Sequence, residues 1–299
     1  MFNGFSHSVM GASHEKRGIV CQDSSAYEVG EAYAVAVVAD GHGSKKHFRS
    51  NIGSKCAVEA TLETIKKYYE DADEFDKNIA KNHKMITRHI EKQIIMLWNE
   101  KILSHLDKNP VTPEELNKFS YEEFENIPPE SYYGTTLVAA VAGRGYTFGF
   151  QIGDGSLVAV FEDGETSMIM DYEESNPANI TSSMCNANAA AMFDSFYVDR
   201  KKLLAICVST DGLYTSFGSD NDFLDYHTII AGQLTNLESF MPSVQNNLKK
   251  RSHFGTEDDI SLSCVFDPEL AASKLDVIKA KIAENKRLAA ERKATLLRR

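Results

Sequence analysis

Hydrophobic positions fall into two regimes along the chain. The first is a set of short, nearly continuous apolar runs at residues 33–39, 137–142, 146–152, 156–161, 203–209 and 260–266. Each is six or seven residues long, and all but the 203–209 run are bounded on at least one side by glycine or aspartate, which predicts buried strands. Gly143-Arg144-Gly145, Gly153-Asp154-Gly155 and Asp163-Gly164 punctuate the middle runs, predicting a meander of antiparallel hairpins. A further short strand is expected at Ser24-Ser25-Ala26-Tyr27, turning at Gly30-Glu31 into the 33–39 run.

The second regime has helical period. Ile52, Cys56, Leu62, Ile65 and Tyr69 share a face over residues 50–69. After a polar break at residues 71–74, Ile79, Ile86, Ile90, Ile94 and Leu97 do the same over residues 78–106. Residues 220–250 read as mostly helical, and residues 11–18 as a polar, turn-rich stretch. Residues 107–131 carry four prolines and predict loop with one short helix near residues 113–118. Residues 165–200 lack clear period and predict a surface excursion. From Leu270 onward Ala, Lys, Leu and Arg predict a helix, with Leu275, Ile278 and Ile282 in one stripe. The chain therefore divides into a body, 1–268, and a basic helical tail, 269–299.

Charge sharpens that division. Residues 270–299 hold nine Lys/Arg against three Asp/Glu, a net +6, so the rest carries −17 of the total −11. An acidic body argues against nucleic acid as a partner. The basic tail suits packing back on that body, with a binding partner, self-association or contact with an anionic surface as alternatives. No apolar run is long enough for a membrane span, and the first residues lack a basic-then-apolar leader pattern. Five scattered cysteines with no C-x-x-C predict reduced thiols, and a cytoplasmic location is expected.

Candidate chemistry lies where apolar runs meet acids. Asp23 precedes one strand, Asp40 ends the 33–39 run, Asp211 ends the 203–209 run, and Asp258 and Asp259 precede the last strand. Asp154 sits in a turn. A carboxylate at the end of a rigid strand is held as a metal or catalytic site requires. Several at one end of a sheet would repel one another unless cations neutralised them. Oxygen donors with little His or Cys favour magnesium or manganese over zinc. No G-x-S-x-G elbow offers a serine nucleophile.

These residues carry a resemblance. Val38-Ala39-Asp40-Gly41-His42-Gly43, Gly134-Thr135-Thr136-Leu137, Gln151-Ile152-Gly153-Asp154-Gly155, Val208-Ser209-Thr210-Asp211-Gly212 and Glu257-Asp258-Asp259-Ile260-Ser261 occur in the order found in the metal-dependent serine/threonine protein phosphatases (PPM, or type 2C), most like bacterial members. The resemblance spans about residues 4–266. It implies an α+β fold, a four-layer αββα sandwich of two antiparallel sheets flanked by helices, with the C-terminal helix added. It implies two Mn2+ or Mg2+ ions, and a weaker third, in a cleft at one end. By the family pattern Asp40 bridges both metals, the Gly41 carbonyl and the position of Gln22 serve the second, and Asp211 and Asp258 hold the first. Asp23 matches the acid that orients the attacking water, His42 the general acid, and Asp154 a third-metal ligand.

Three positions depart from the pattern. Gln22 stands where a glutamate is usual, and Thr215 replaces an acid of the third site. Arg17 is the nearest phosphate-gripping arginine, with Lys16, Lys45 or Lys46 as substitutes. The implied activity is dephosphorylation of phosphoserine and phosphothreonine in phosphoprotein substrates, a signalling reaction driven by a metal-activated water. Gln22 and Thr215 motivate one alternative, a weak or inactive phosphatase-fold protein that binds a partner. A small-molecule phosphomonoesterase is another.

Overall fold

The computed structural model describes residues 1–170, 181–199 and 203–296. Its strands are β1 (Asn3–Val9), β2 (Ser24–Val29), β3 (Ala34–Ala39), β4 (Leu137–Ala142), β5 (Tyr146–Ile152), β6 (Ser156–Phe161), β7 (Thr166–Met170), β8 (Asp194–Asp199), β9 (Leu203–Ser209) and β10 (Ile260–Phe266). They pair antiparallel into two five-stranded sheets, ordered β2-β3-β4-β5-β8 and β1-β10-β9-β6-β7.

The sheets face each other, and β3 shows why its sequence is apolar throughout. Side chains alternate across a strand. Ala34, Ala36 and Val38 pack toward Val138, Ala140, Leu157, Ile206 and Val208 between the sheets. Val35, Val37 and Ala39 pack on the other side with the outer helices. Both faces are buried, so no polar alternation remains in the sequence.

The helices are α1 (Ala12–Arg17), α2 (Ser50–Tyr68), α3 (Ala72–Lys108), α4 (Pro113–Leu116), α5 (Tyr121–Glu125), α6 (Asp211–Tyr214), α7 (Asp220–Ala231), α8 (Leu237–Arg251), α9 (Pro268–Ser273) and α10 (Leu275–Leu296). α2 and α3 cover the β2–β8 sheet, with Trp98 buried and its indole donating to the Gly53 carbonyl at 3.0 Å. α7, α8 and part of α10 cover the other sheet. The tail packs back on the body. Ile278 is fully buried, and Lys274, Lys281 and Arg292 pair with Glu162, Glu165 and Asp225.

Several sequence expectations need correction. The stretch at 11–18 forms α1, closed by Gly18 at φ 66°. The polar residues 71–74 do not break the second helix but start it, because the Asp71 side chain caps the Glu74 amide at 2.9 Å. α3 then runs from Ala72 through a kink at Asn82. Residues 107–131 hold two short helices, each with a capping box, rather than one. The 165–200 region contains β7 and β8 as edge strands, while residues 171–180 and 200 lie outside the described residues.

The most consequential correction concerns Gly153-Asp154-Gly155. It is not a hairpin turn, because β5 and β6 belong to different sheets. Gly153 has φ 106°, and a Cβ on it would meet the Thr136 side chain at 2.5 Å. The glycine lets the chain cross from one sheet to the other there, which puts Asp154 at the seam between them.

Candidate active site

The site begins at the end of β3. The Asp40 peptide is held on both sides by the 135–136 pair. Its carbonyl accepts from the Thr136 amide and from Thr135 Oγ1, both at 2.8 Å, and its amide donates to Thr136 Oγ1 at 3.0 Å. The Gly41 amide donates to the Gln22 carbonyl at 3.2 Å, and that of His42 to the Gly134 carbonyl at 3.1 Å. A Cβ at Gly41 would lie 2.6 Å from the Gln22 carbonyl and 2.8 Å from the Ser50 backbone, so only glycine fits. The 40–42 turn is thus fixed by main-chain bonds to strands and loops around it.

Around this turn lies a cleft of about 470 Å³. It is lined by Asp40, Gly41, His42, Gln22, Arg17, Asp154, Asp211 and Asp258. Asp211 arrives at the end of β9, and Asp258 from the turn before β10. Asp23 lies buried at its base, with Oδ2 accepting from Thr210 Oγ1 at 2.9 Å. Asp154 accepts from Thr181 Oγ1 at 2.7 Å. Eight of the nine sequence-derived site residues therefore line one cleft, and the ninth, Asp23, lies against it.

The electrostatics are those of crowded, partly dried carboxylates. Burial raises the Asp40 carboxyl well above the ordinary range, and Asp23, Asp211, Asp258 and Asp154 add to the shift. Asp23 is raised by burial and then by Asp259 and Asp211. Asp211 is pushed up to about 6 by burial and by Asp154. Asp258, at the exposed rim, is raised by desolvation and by Asp259. Burial, His47 and Lys46 hold the His42 imidazole down at about 4, so the ring is neutral at pH 7. The imidazolium expected beside a leaving alkoxide is therefore not the resting form.

Do these residues suit divalent ions? Asp23 Oδ1 and Asp211 Oδ1 are buried and have no hydrogen-bond partner. The donors around the cleft are oxygens of like charge, a set that hard cations satisfy. The set fits magnesium or manganese in chemistry. Among the described residues, no three His, Cys, Asp or Glu side chains already close on a single point.

The departures from the family pattern have visible consequences. The Gln22 carboxamide donates to Ser50 Oγ at 2.6 Å and to the His42 carbonyl at 3.3 Å, so its nitrogen braces the turn and only its oxygen is left for a ligand. Thr215 Oγ1 is directed to the Asp211 carbonyl and to Thr256 Oγ1 rather than to the cleft. Arg17 is exposed at the rim and bonded to Ser13 of its own helix. Lys16 pairs with Glu257, and Lys45 with Glu123 while lying over the Phe119 ring; Lys46 acts on His42 from outside the lining, and among the described residues Arg17 is the Lys/Arg side chain that lines the cleft.

Sequence reasoning missed a second layer. Asp259 is buried, and its carboxylate accepts the Gly11 and Gln22 amides, both at 2.6 Å, and faces His14 Nδ1 at 3.0 Å. It ties three separated segments under the cleft. The signal available was the Asp258-Asp259 doublet, since adjacent residues entering a strand point to opposite sides.

Comparison with known proteins accords with this geometry. The family described as Protein phosphatase 2C matches residues 10–250. Comparison with curated protein sequences gives no match. Among solved structures, the serine/threonine phosphatase Stp1 from Staphylococcus aureus is 15% identical with TM-score 0.57, covering 89% of this chain and 95% of its own. The S. agalactiae serine/threonine phosphatase is 17% identical with TM-score 0.55, covering 89% and 99%. PppA of Pseudomonas aeruginosa is 16% identical with TM-score 0.55, covering 89% and 97%. At such identities these structures speak for the fold, while the family match spans most of the sequence. The chain belongs to the protein phosphatase 2C family.

Proposed function

We propose that this chain hydrolyses phosphoserine and phosphothreonine esters of proteins with the help of manganese or magnesium. The observation that carries the reading is the gathering of Asp40, Asp211, Asp258 and Asp154 around one cleft, with buried carboxylate oxygens left unsatisfied. Asp40 would hold two ions, Asp211 and Asp258 one of them, and the Gly41 carbonyl with the Gln22 oxygen the other. Asp154 offers a ligand to a weaker third ion. Bound ions would offset the charge of a phosphate dianion and make water a better nucleophile.

The chain's own residues supply the rest. Asp23, buried beneath the cleft, accepts a hydrogen bond from the attacking water and orients it. Arg17 at the rim grips the phosphoryl oxygens. A serine or threonine alkoxide leaves poorly; His42 borders the cleft and would deliver a proton to it only after gaining one, since its resting ring is neutral.

The test is hydrolysis of an aryl phosphate and then of a phosphothreonine peptide with manganese present. Turnover of both is expected, with chelator abolishing it and Asp40→Asn removing at least about 99% of it. Absence of turnover on either substrate with any divalent metal would overturn the enzyme reading in favour of a partner-binding role. A strong preference for small phosphates over the peptide would move it to small-molecule hydrolysis.

A further inference from the structure

α1 is a short wall with two sides. Ser13, His14 and Arg17 face the acidic cleft. Ala12 and Glu15 face a separate hollow of about 230 Å³, completed by Met10, Lys249, Lys250, His253 and Phe254. The two depressions are neighbours across a single helical turn. They are also joined along the chain, because residues 252–256 lead from the hollow to Glu257 and Asp258 on the cleft rim.

The hollow has the opposite character to the cleft. Lys249 and Lys250 end α8, are exposed, and have no ion-pair or hydrogen-bond partner among the described residues. Arg251, which follows them and closes α8, turns inward. Its guanidinium lies 3.6 Å from the Phe217 ring centre and 4.8 Å from that of Tyr226, which anchors the base on which the lysines stand. Phe254 is 82% exposed, its ring edge-on to His253 at 4.8 Å. A solvated aromatic ring in one hollow with two unpaired cations is an unusual surface for a chain of net charge −11.

We propose that this hollow is the subsite for residues flanking the phosphorylated side chain, and that it selects substrates carrying an acidic residue together with an apolar one. This rests on the phosphoprotein reading of the cleft. With the phosphate in the cleft, an extended peptide crossing α1 enters the hollow. Its apolar side chain covers Phe254 and Met10, and its carboxylate meets Lys249 and Lys250. Glu15 repels an acid placed against α1, so the acid is directed to the lysine side. In the cleft lining, Glu257, Asp258 and Asp154 repel acidic peptides, which directs an acid toward the hollow.

Two phosphothreonine peptides test the proposal, one flanked by Asp, Glu and Leu, the other by Asn, Gln and Ala. The wild-type chain should show kcat/KM about tenfold higher on the acidic peptide, and the double variant Lys249→Glu, Lys250→Glu should lose that preference. Phe254→Ala should lower kcat/KM on the same peptide roughly threefold. Aryl phosphate turnover should stay within about twofold of wild type in all variants, which controls for folding. Binding of the labelled, unphosphorylated acidic peptide in chelator, read by fluorescence anisotropy, tests the subsite even if no substrate is hydrolysed. Equal wild-type rates on both peptides, or a preference or binding that survives charge reversal, would overturn the assignment.

Discussion

Gln22 and Ser50 are joined by a 2.6 Å hydrogen bond from carboxamide to hydroxyl, across the mouth of the 40–43 turn. The same nitrogen reaches the His42 carbonyl at 3.3 Å. A residue expected only as a metal ligand is therefore also a brace. Gln22→Glu should raise apparent manganese affinity, because a charge is restored beside a hard-cation site. It should also lower metal-free stability by about 1 kcal/mol, because a donor to the His42 carbonyl is lost. Metal titration and a thermal melt in chelator separate the two effects, and a variant with unchanged metal affinity would remove Gln22 from the ligand set.

Asp258 and Asp259 are adjacent and should behave in opposite ways. Asp259→Ala leaves the Gly11 and Gln22 amides without their acceptor and should destabilise the fold by about 2–3 kcal/mol, seen as an earlier urea midpoint. Asp258→Ala should leave the midpoint within about 0.5 kcal/mol and reduce metal-dependent turnover instead. Equal loss of stability in both would mean that the division between ligand and buttress is misplaced.

Removing charge from the cluster should stabilise the metal-free protein. Asp40 is raised by burial and by four neighbouring carboxylates, so its ionised form is held at a cost. Asp40→Asn should raise the melting temperature in chelator by a few degrees, roughly 1 kcal/mol, while activity is lost. A lowered melting temperature would show that the carboxylates do not strain the empty cleft.

Glu91 gives a pH signature away from the cleft. Its side chain is buried on α3, with Oε1 unpartnered, Arg88 at 3.0 Å and Ser195 and Asp194 of β8 facing it. Burial raises its carboxyl from 4.5 to about 7. The folded chain thus keeps this proton longer than the unfolded one, and stability falls as pH rises from about 4.5 to about 7. Glu91→Gln should be more stable than wild type by about 1–2 kcal/mol at pH 8, with the advantage gone below pH 5. Urea midpoints at the two pH values check this, and a pH-independent difference would contradict it.

The tail should add stability rather than hang free. Deleting residues 275–299 uncovers the core around Ile278 and removes the Lys281–Glu165 pair. A loss of about 2–3 kcal/mol is expected by urea denaturation. An unchanged midpoint would mark the tail as dispensable to the body.

The legibility of this chain followed burial. β3, β4, β5, β6, β9 and β10 were plain in the sequence because both faces of each are covered, leaving nearly continuous apolar runs. β1, with Ser6, His7 and Ser8, and β8, half exposed, lie at sheet edges. Mixed residues suffice there, and their strand character depends on a neighbour that sequence does not name. Asp40 and Asp211 were legible because each ends an apolar run before a glycine. Asp259 was not, because its partners Gly11 and Gln22 lie 248 and 237 residues away. The sheet switch at Asp154 was hidden for a similar reason, since a glycine turn reads the same whether the chain returns to its own sheet or leaves it.

That switch has a wider consequence. Asp40 ends a strand of one sheet, Asp211 and Asp258 border strands of the other, and Asp154 sits where the chain passes between them. The spacing of the carboxylates is then a measure of how the two sheets slide against each other. A methyl group added or removed among Ala36, Ala140 or Val208, deep in the sandwich and far from any substrate, changes that alignment. The cleft should report such a change, as altered cation affinity, before the fold reports it as lost stability.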